Sequence, residues 1–581
     1  MMNMTTKHTR NLLLTLGHNS SAILVEDDRV LCGYEEERLS KVKSDSGFPR
    51  LAIRECLNQC FAPTLDTIYI SYWNDDFTIF EDTNTYQDKH YDKKFLSTLC
   101  KQYNCKIVYL SPEFTHHDAH AYAALNFFEN HASETDLEDD FHVIVADGFG
   151  NCEEVTTIYK RDSDKLKRVD KLYNYFNSMG LMYQYATSFC GMKENEDEYK
   201  FLGYESHIKE ILTETQICKL YEYSNSFIKN LFNHAQNEMF GISTREYIDV
   251  NKLGRVKESW TNVYTQFLTE MGFDRKTSNI EHIRCIIAAF IQNNIEQFLL
   301  FYIKKHNIKN VILSGGIFYN VKLNNFIMNN IEGKICVYPL AGDQGAALGM
   351  QRYYEGKFIF NNLLIGKRNL TLSENTEKYL KQNNIERFEH YNDFNQFITR
   401  VVQLLREDKI VNMITGNLEI GPRALCSTTT LAQPTDHNFK YINKLNGRNA
   451  VMPFAPVILE SKAEKYFGKE QIEKIIGSNN YMIITMDHLI PERVPEYTGV
   501  LHKYPLKDVY SSRCQFIPDY SERYIRYVLE RVSDINDFWI QTSHNEHGRP
   551  ILLTVEDGLQ NHIGTLKNDD EQRSYTLIGN F

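Results

Sequence analysis

The stretch HHDAHAYAAL, residues 116–125, places three histidines within five positions. Imidazole is the commonest metal-binding side chain. At about 3.6 residues per helical turn, positions four apart share a face. His116 and His120 have this spacing, whereas His117 points to another face, where it would support the pair or touch a substrate. The pair has two readings. It is half of a metal site completed from elsewhere in the chain, or it is carried by a helix that binds nothing. A metal site needs further ligands nearby in space, and spacing alone does not supply them.

Glycine-bearing turns after apolar strands recur at 147–150, 314–316 and 342–345. Such a turn lets a phosphate or sugar approach the backbone, and a helix N-terminus behind it favours an anion. Three of them point to a nucleotide cleft. Asp147 and Asp343 lie in two of these turns. Taken alone, Asp147 suits a turn before Gly148, and Asp343 suits a helix N-cap. His18 ends the first strand, where it is either a structural histidine or a proton acceptor.

The elements that must hold these residues read as α/β. Residues 11–37 and 141–171 share one plan: an apolar strand, a Gly- or Asn-bearing turn, then a strand rich in β-branched residues. Two such units suggest a duplicated fold whose turns face a shared cleft. Residues 48–60 and the histidine stretch read as helical, and 281–305 is the strongest helix signal in the chain. The pattern degrades at 366–385, taken as a linker between a first domain (1–365) and a second (386–581). The aromatic stretch YNYFNSMGLMYQY (173–185) reads as core.

With 581 residues the chain exceeds one core. The net charge of -12 argues against a surface coated for bulk nucleic-acid binding, but leaves a local basic groove open. Twelve cysteines without a C-x-x-C pair fit reduced thiols in a cytoplasmic protein. The apolar run near the start reads as a strand rather than a signal peptide, and no apolar run approaches the roughly 20 residues of a membrane span.

Together GHNSSA (17–22), EEERLSKVKSDSGFP (35–49), HHDAHA (116–121), VADGFG (145–150), SGGIFYNVKLNN (314–325), AGDQGAALG (341–349), EIGPRAL (419–425), MPFAPVIL (452–459) and TSHNEHGRPI (542–551) carry a resemblance over nearly the whole length. The chain resembles the O-carbamoyltransferases that modify nodulation factors, cephalosporins and tobramycin. The resemblance implies a Kae1-like domain, of the actin and Hsp70 type of ATPase fold, followed by a YrdC-like α/β domain. It implies that the second domain forms carbamoyl-adenylate from carbamoyl phosphate and ATP, with magnesium accompanying the ATP, and that the first transfers the carbamoyl group to an acceptor hydroxyl.

The resemblance further implies that His116, His120, Asp147 and Asp343 bind a divalent metal; two imidazoles with carboxylates suit iron, manganese or zinc better than magnesium. By the same match, His18 and Asp147 are catalytic, and Gly148, Gly315, Gly316 and Asn320 cradle the nucleotide. Arg423, Lys444, Arg448, Arg523, Ser543 and Asn545 fall at positions that hold carbamoyl phosphate. The acceptor is a small molecule, a sugar, or a hydroxymethylated nucleoside or nucleotide, in DNA included, although the net charge lends a nucleic acid no support. No membrane is implied, and pairing with a second copy as a homodimer stays open.

The chain departs from the family's pattern in the second domain. Thr428 stands where the family has an arginine in GPRALGNRS, Asn446 replaces a lysine and Met452 an arginine, while Arg549 is added. Each charged hydrogen bond to phosphate contributes about 1.5–3 kcal/mol, so three lost without replacement would weaken the donor site by orders of magnitude. Either Lys444, Arg448, Arg513, Arg523 and Arg549 rebuild the site, or the protein uses another donor, or it is a regulator that binds nucleotide or metal. Transfer of a threonylcarbamoyl group to tRNA is a further alternative, against which the fused domain order and the GPRAL and PFAP motifs speak.

Overall fold

The computed structural model describes residues 8–59, 64–72, 90–235, 250–367, 369–448, 452–489, 497–504 and 509–581. Cys60, expected to end a helix, and residues 449–451, just before MPFAPVIL, lie outside them.

Two five-stranded sheets form the first part of the chain. One comprises β1 (Arg10–Thr15), β2 (Ser21–Glu26), β3 (Arg29–Glu35), β4 (Thr67–Ser71) and β5 (Lys106–Tyr109), in the order β3-β2-β1-β4-β5. The other comprises β6 (Phe141–Ala146), β7 (Glu154–Asp162), β8 (Lys165–Tyr173), β9 (Asn310–Ser314) and β10 (Ile335–Val337), in the order β10-β9-β6-β7-β8. In each, three strands form an antiparallel meander and the first of them continues into two parallel strands. The second sheet repeats the topology of the first. This is the duplicated α/β plan expected from the sequence, the actin and Hsp70 type of fold. Each stretch read as two strands holds three.

The helix His116–His131 lies between the sheets, packed on β6, β9 and the helix Ala347–Glu355. Ala119, Ala123, Ala124 and Phe127 fill this contact. A Cβ on Gly349 would stand 1.8 Å from the Ala119 carbonyl oxygen, so only glycine permits the close approach. The helix Ile280–Lys305 is long and apolar enough to cross a membrane, yet 78% of its apolar window is buried inside the protein, as in a core helix. Phe176 stacks on Trp260 at 4.6 Å, and Tyr175, Met179 and Met182 are buried, which makes much of the 173–185 stretch core as expected.

The second part is also α/β. Its seven-stranded sheet runs β11-β20-β12-β13-β19-β14-β18, from β11 (Phe388–Tyr391), β12 (Ile410–Thr415), β13 (Thr428–Ala432), β14 (Ala455–Leu459), β18 (Gln515–Ile517), β19 (Trp539–Ser543) and β20 (Ser574–Gly579). A small sheet of β15 (Met486–Asp487), β16 (His502–Tyr504) and β17 (Val509–Ser512) accompanies it. Segment 366–385 is structured: it carries the helix Glu374–Gln382 and buries Leu370 completely, while the Gly366 N–H donates to the Leu418 carbonyl at 2.7 Å.

A buried clasp joins the two parts. Arg38, 2% exposed, donates to Glu35 at 3.0 Å, to Glu419 at 3.0 Å and to the Gly421 carbonyl at 2.6 Å. The Gly421 N–H returns to Glu35 at 3.0 Å. EEERLS and EIGPRAL, two separate landmarks in the sequence, are here one structure. It holds the loop that leads to Arg423.

Candidate active site

The metal ligands expected from the resemblance converge. Ligand atoms of His116, His120, Asp147 and Asp343 all lie within 4.8 Å of one another. The Nε2 atoms of His116 and His120 are 3.1 Å apart, and Asp343 Oδ1 is 3.3 Å from each. Asp147 Oδ2 is 3.4 Å from His116 Nε2 and 3.7 Å from His120 Nε2. Four atoms each about 2.1 Å from one ion would be separated by about 3.0–3.4 Å, from octahedral to tetrahedral geometry, so these separations suit a first-row divalent cation.

The charges lead to the same place. Burial disfavours a charged His116, but Asp343 and Asp147 outweigh it and lift the imidazole to about 10. Burial likewise opposes the charges of Asp343 and Asp147, and the histidines overcome it and hold both below the usual carboxylate range. Two half-buried carboxylates thus favour a positive charge beside them, which the raised pKa of His116 reflects.

Local structure aims the four groups. The helix His116–His131 begins with a capping box between Thr115 and Asp118, and Asn151 Oδ1 accepts the His116 N–H at 2.8 Å. Asp147 follows β6, and its Oδ1 accepts the Gly316 N–H at 3.1 Å. Asp343 opens a short 3-10 turn after Gly342. His117 is fully buried, bonded through Nδ1 to Thr157 at 2.8 Å, with its own N–H on Glu154 at 3.1 Å. It anchors the helix from behind and does not face substrate. Burial and the nearby His116 push its pKa well down.

A cavity of about 1210 Å³ lies in front of the carboxylates. Asp147, Asp343 and His18 line it, together with Gly148, Gly316 and Asn320. Gly315 stands behind the wall: its φ is +105° and a Cβ there would lie 2.1 Å from the Ala146 carbonyl oxygen, so it shapes the turn rather than facing the cavity. Asn320 caps the helix Val321–Asn330 through its Oδ1 and donates to Gln292 at 2.7 Å, so its polar atoms are already engaged.

The same cavity is lined by Arg423, Arg448, Arg513, Ser543, Asn545 and Arg549 of the second part. Arg448 donates to Thr542 Oγ1 at 3.0 Å, to Asn545 Oδ1 at 2.6 Å and to the carbonyls of Ser543 and Asn545 at 3.1 Å each. Ser543 and Asn545 therefore supply neutral hydrogen bonds, but to Arg448. Among the described residues no carboxylate pairs with Arg423, Arg448 or Arg513. Burial pushes all three below the usual guanidinium range, and Arg423 lowers Arg513 further. Desolvated cations without counter-ions form an anion site.

Two expected donor-site residues are elsewhere. Lys444 turns to the surface and pairs with Asp570 at 2.7 Å, because its helix buries Tyr441 and Leu445 instead. Arg523 is absorbed beneath the GPRAL loop, where it donates to the Leu425 carbonyl. Neither lines the cavity. Met452 lines it where the family has an arginine, Thr428 is buried in β13, and Arg513, from outside the quoted landmarks, reaches in from the second part.

Comparison with known proteins gives the class. Residues 74–351 match the family described as Carbamoyltransferase N-terminus, and residues 402–568 match Carbamoyltransferase C-terminus. An uncharacterized protein of Synechocystis sp. is 24% identical, with 97% of this chain and 94% of that protein covered. Nodulation protein NolNO of Sinorhizobium fredii is 22% identical over 78% of this chain and 64% of its own length. The solved structure of full-length HypF in its phosphate- and nucleotide-bound form covers 60% of this chain and 56% of its own at 13% identity, with a TM-score of 0.28. The two family matches define a transferase that moves a carbamoyl group. The chain belongs to the carbamoyltransferase family, and the nodulation protein is among its relatives.

Proposed function

We propose that this enzyme is an ATP-dependent O-carbamoyltransferase that makes carbamoyl-adenylate at its arginines and spends it beside its His/Asp cluster. One observation carries the reading: Asp147 and Asp343 share a single cavity with Arg423, Arg448 and Arg513. An intermediate made among the arginines can reach the cluster without entering bulk water, which would hydrolyse it.

The chemistry balances as follows. Water cleaves carbamoyl phosphate to carbamate and phosphate. A carbamate oxygen attacks the α-phosphorus of ATP and pyrophosphate leaves. The acceptor hydroxyl then attacks the carbamoyl carbon, its proton passes to a base, and AMP leaves. Arg423, Arg448 and Arg513 hold the phosphoryl oxygens, and permanent charge with forked donors suits them to the task. Ser543 and Asn545 fix Arg448 in place. His116, His120, Asp147 and Asp343 would hold a divalent cation, which when bound supplies charge to polarise the carbonyl under attack. His18, exposed to the cavity, takes the acceptor proton. The acceptor is a hydroxyl of a small molecule, a sugar or a hydroxymethylated nucleotide.

Pyrophosphate release from ATP, measured with and without carbamoyl phosphate, tests the reading without a known acceptor. Release that depends on carbamoyl phosphate supports it. Absence of release, or release indifferent to carbamoyl phosphate, refutes it.

A further inference from the structure

The donor site lacks basic groups at Thr428, Asn446 and Met452, yet a cation reaches it from the other domain. After the helix Met179–Phe189, the N-terminal part sends residues 193–200 along the shared cavity. Lys200, in that segment, lines the cavity, and its side chain is 23% exposed. Its Nζ donates to Asp197 Oδ1 at 2.5 Å and approaches His547 Nε2 at 3.1 Å. His547 lies in the loop that holds Arg448: it is two residues beyond Asn545, and its own N–H is fixed on the Asn446 carbonyl at 3.0 Å. Tyr199 stands within electrostatic reach of both Arg423 and Arg448.

We infer that Lys200 of the N-terminal domain completes the phosphoryl-binding site of the C-terminal domain, so that the donor pocket is built across the domain boundary. Two observations carry this. The ammonium has three donors, of which Asp197 and His547 engage two, so one is left for the cavity. Lys200 lines the same cavity as Arg423, Arg448 and Arg513, none of which pairs with a carboxylate among the described residues.

The inference rests on the proposed donor chemistry, and the test separates the two. The full-length enzyme and its Lys200→Gln and Lys200→Arg variants are compared in carbamoyl-phosphate-dependent pyrophosphate release, with KM read separately for carbamoyl phosphate and for ATP. Thermal stability and metal content are recorded for each. Loss of a charged hydrogen bond to phosphate is expected to raise KM about 10- to 100-fold in Lys200→Gln, with metal content unchanged and most of the affinity restored in Lys200→Arg. The substrate whose KM moves identifies the phosphoryl group Lys200 touches. An active wild type with an unchanged KM for both substrates in Lys200→Gln overturns the inference and leaves the donor chemistry standing. So does a variant whose only change is lower stability, because that is the mark of a domain-docking contact. A wild type that releases no pyrophosphate removes the proposed function, and the inference falls with it.

Discussion

At the scale of single residues, the account turns on two histidines and two carboxylates whose ligand atoms meet in one cluster. His120→Ala is expected to abolish stoichiometric metal uptake with little loss of fold, because the remaining ligands are three; metal analysis of the purified variant checks this. The raised pKa of His116 gives a second prediction. Its folded value near 10 lies above the ordinary 6.5. In the metal-free protein its charge therefore contributes stability that is complete below pH 6.5 and lost as pH rises toward 10. A cation must displace that proton, so metal uptake at pH 8 should release about one proton per ion. Calorimetry in buffers of different ionisation enthalpy reads this number, and a value of zero would contradict the assignment. The His116/His120 spacing was legible in the sequence. The convergence of Asp147 and Asp343 came from the resemblance alone, since each residue by itself also suits a turn or a cap.

At the scale of elements, the site depends on how closely the helix Ala347–Glu355 sits on the helix His116–His131. Gly349 sets that distance. Gly349→Ala is expected to cost about 1–3 kcal/mol by overpacking and to weaken metal binding, since the same shift moves His120 relative to Asp343. Denaturant unfolding and a metal titration test the two effects together; a stable variant with unchanged affinity would show that the helices can part without harm. The two repeated sheets were legible because their alternation of apolar strands and polar turns is local. Three-stranded meanders in place of two strands were missed, since turns of only two residues, 27–28 and 163–164, join β2 to β3 and β7 to β8, and β8 is largely polar and exposed. Lys444 and Arg523 were misplaced for a related reason: motif position fixes where a residue lies in the chain, and helix phase and neighbouring carbonyls decide where its side chain points.

At the scale of the whole molecule, the clasp of Arg38 with Glu35, Glu419 and Gly421 holds the two parts in register. Removing one member of a buried, fully bonded ion network leaves charge without a partner and costs about 3–5 kcal/mol. Arg38→Ala should lose that much in denaturant unfolding and should also raise KM for the donor, because Arg423 follows the clasped loop. A loss below about 1 kcal/mol would mean that the parts are held elsewhere. No pairing of residue 38 with residue 419 could be read from a single sequence, since nothing local connects them. The same holds for the single cavity on which the function rests.

The most direct test of that central claim is to measure carbamoyl-phosphate-dependent pyrophosphate release in two variants side by side. Arg448→Ala, which removes a donor-site cation, should lose release while keeping its metal. His120→Ala, which removes the metal, should keep release, because adenylate formation is assigned to the arginines. Release lost in His120→Ala, or kept in Arg448→Ala, would contradict the division of labour between the two ends of the chain.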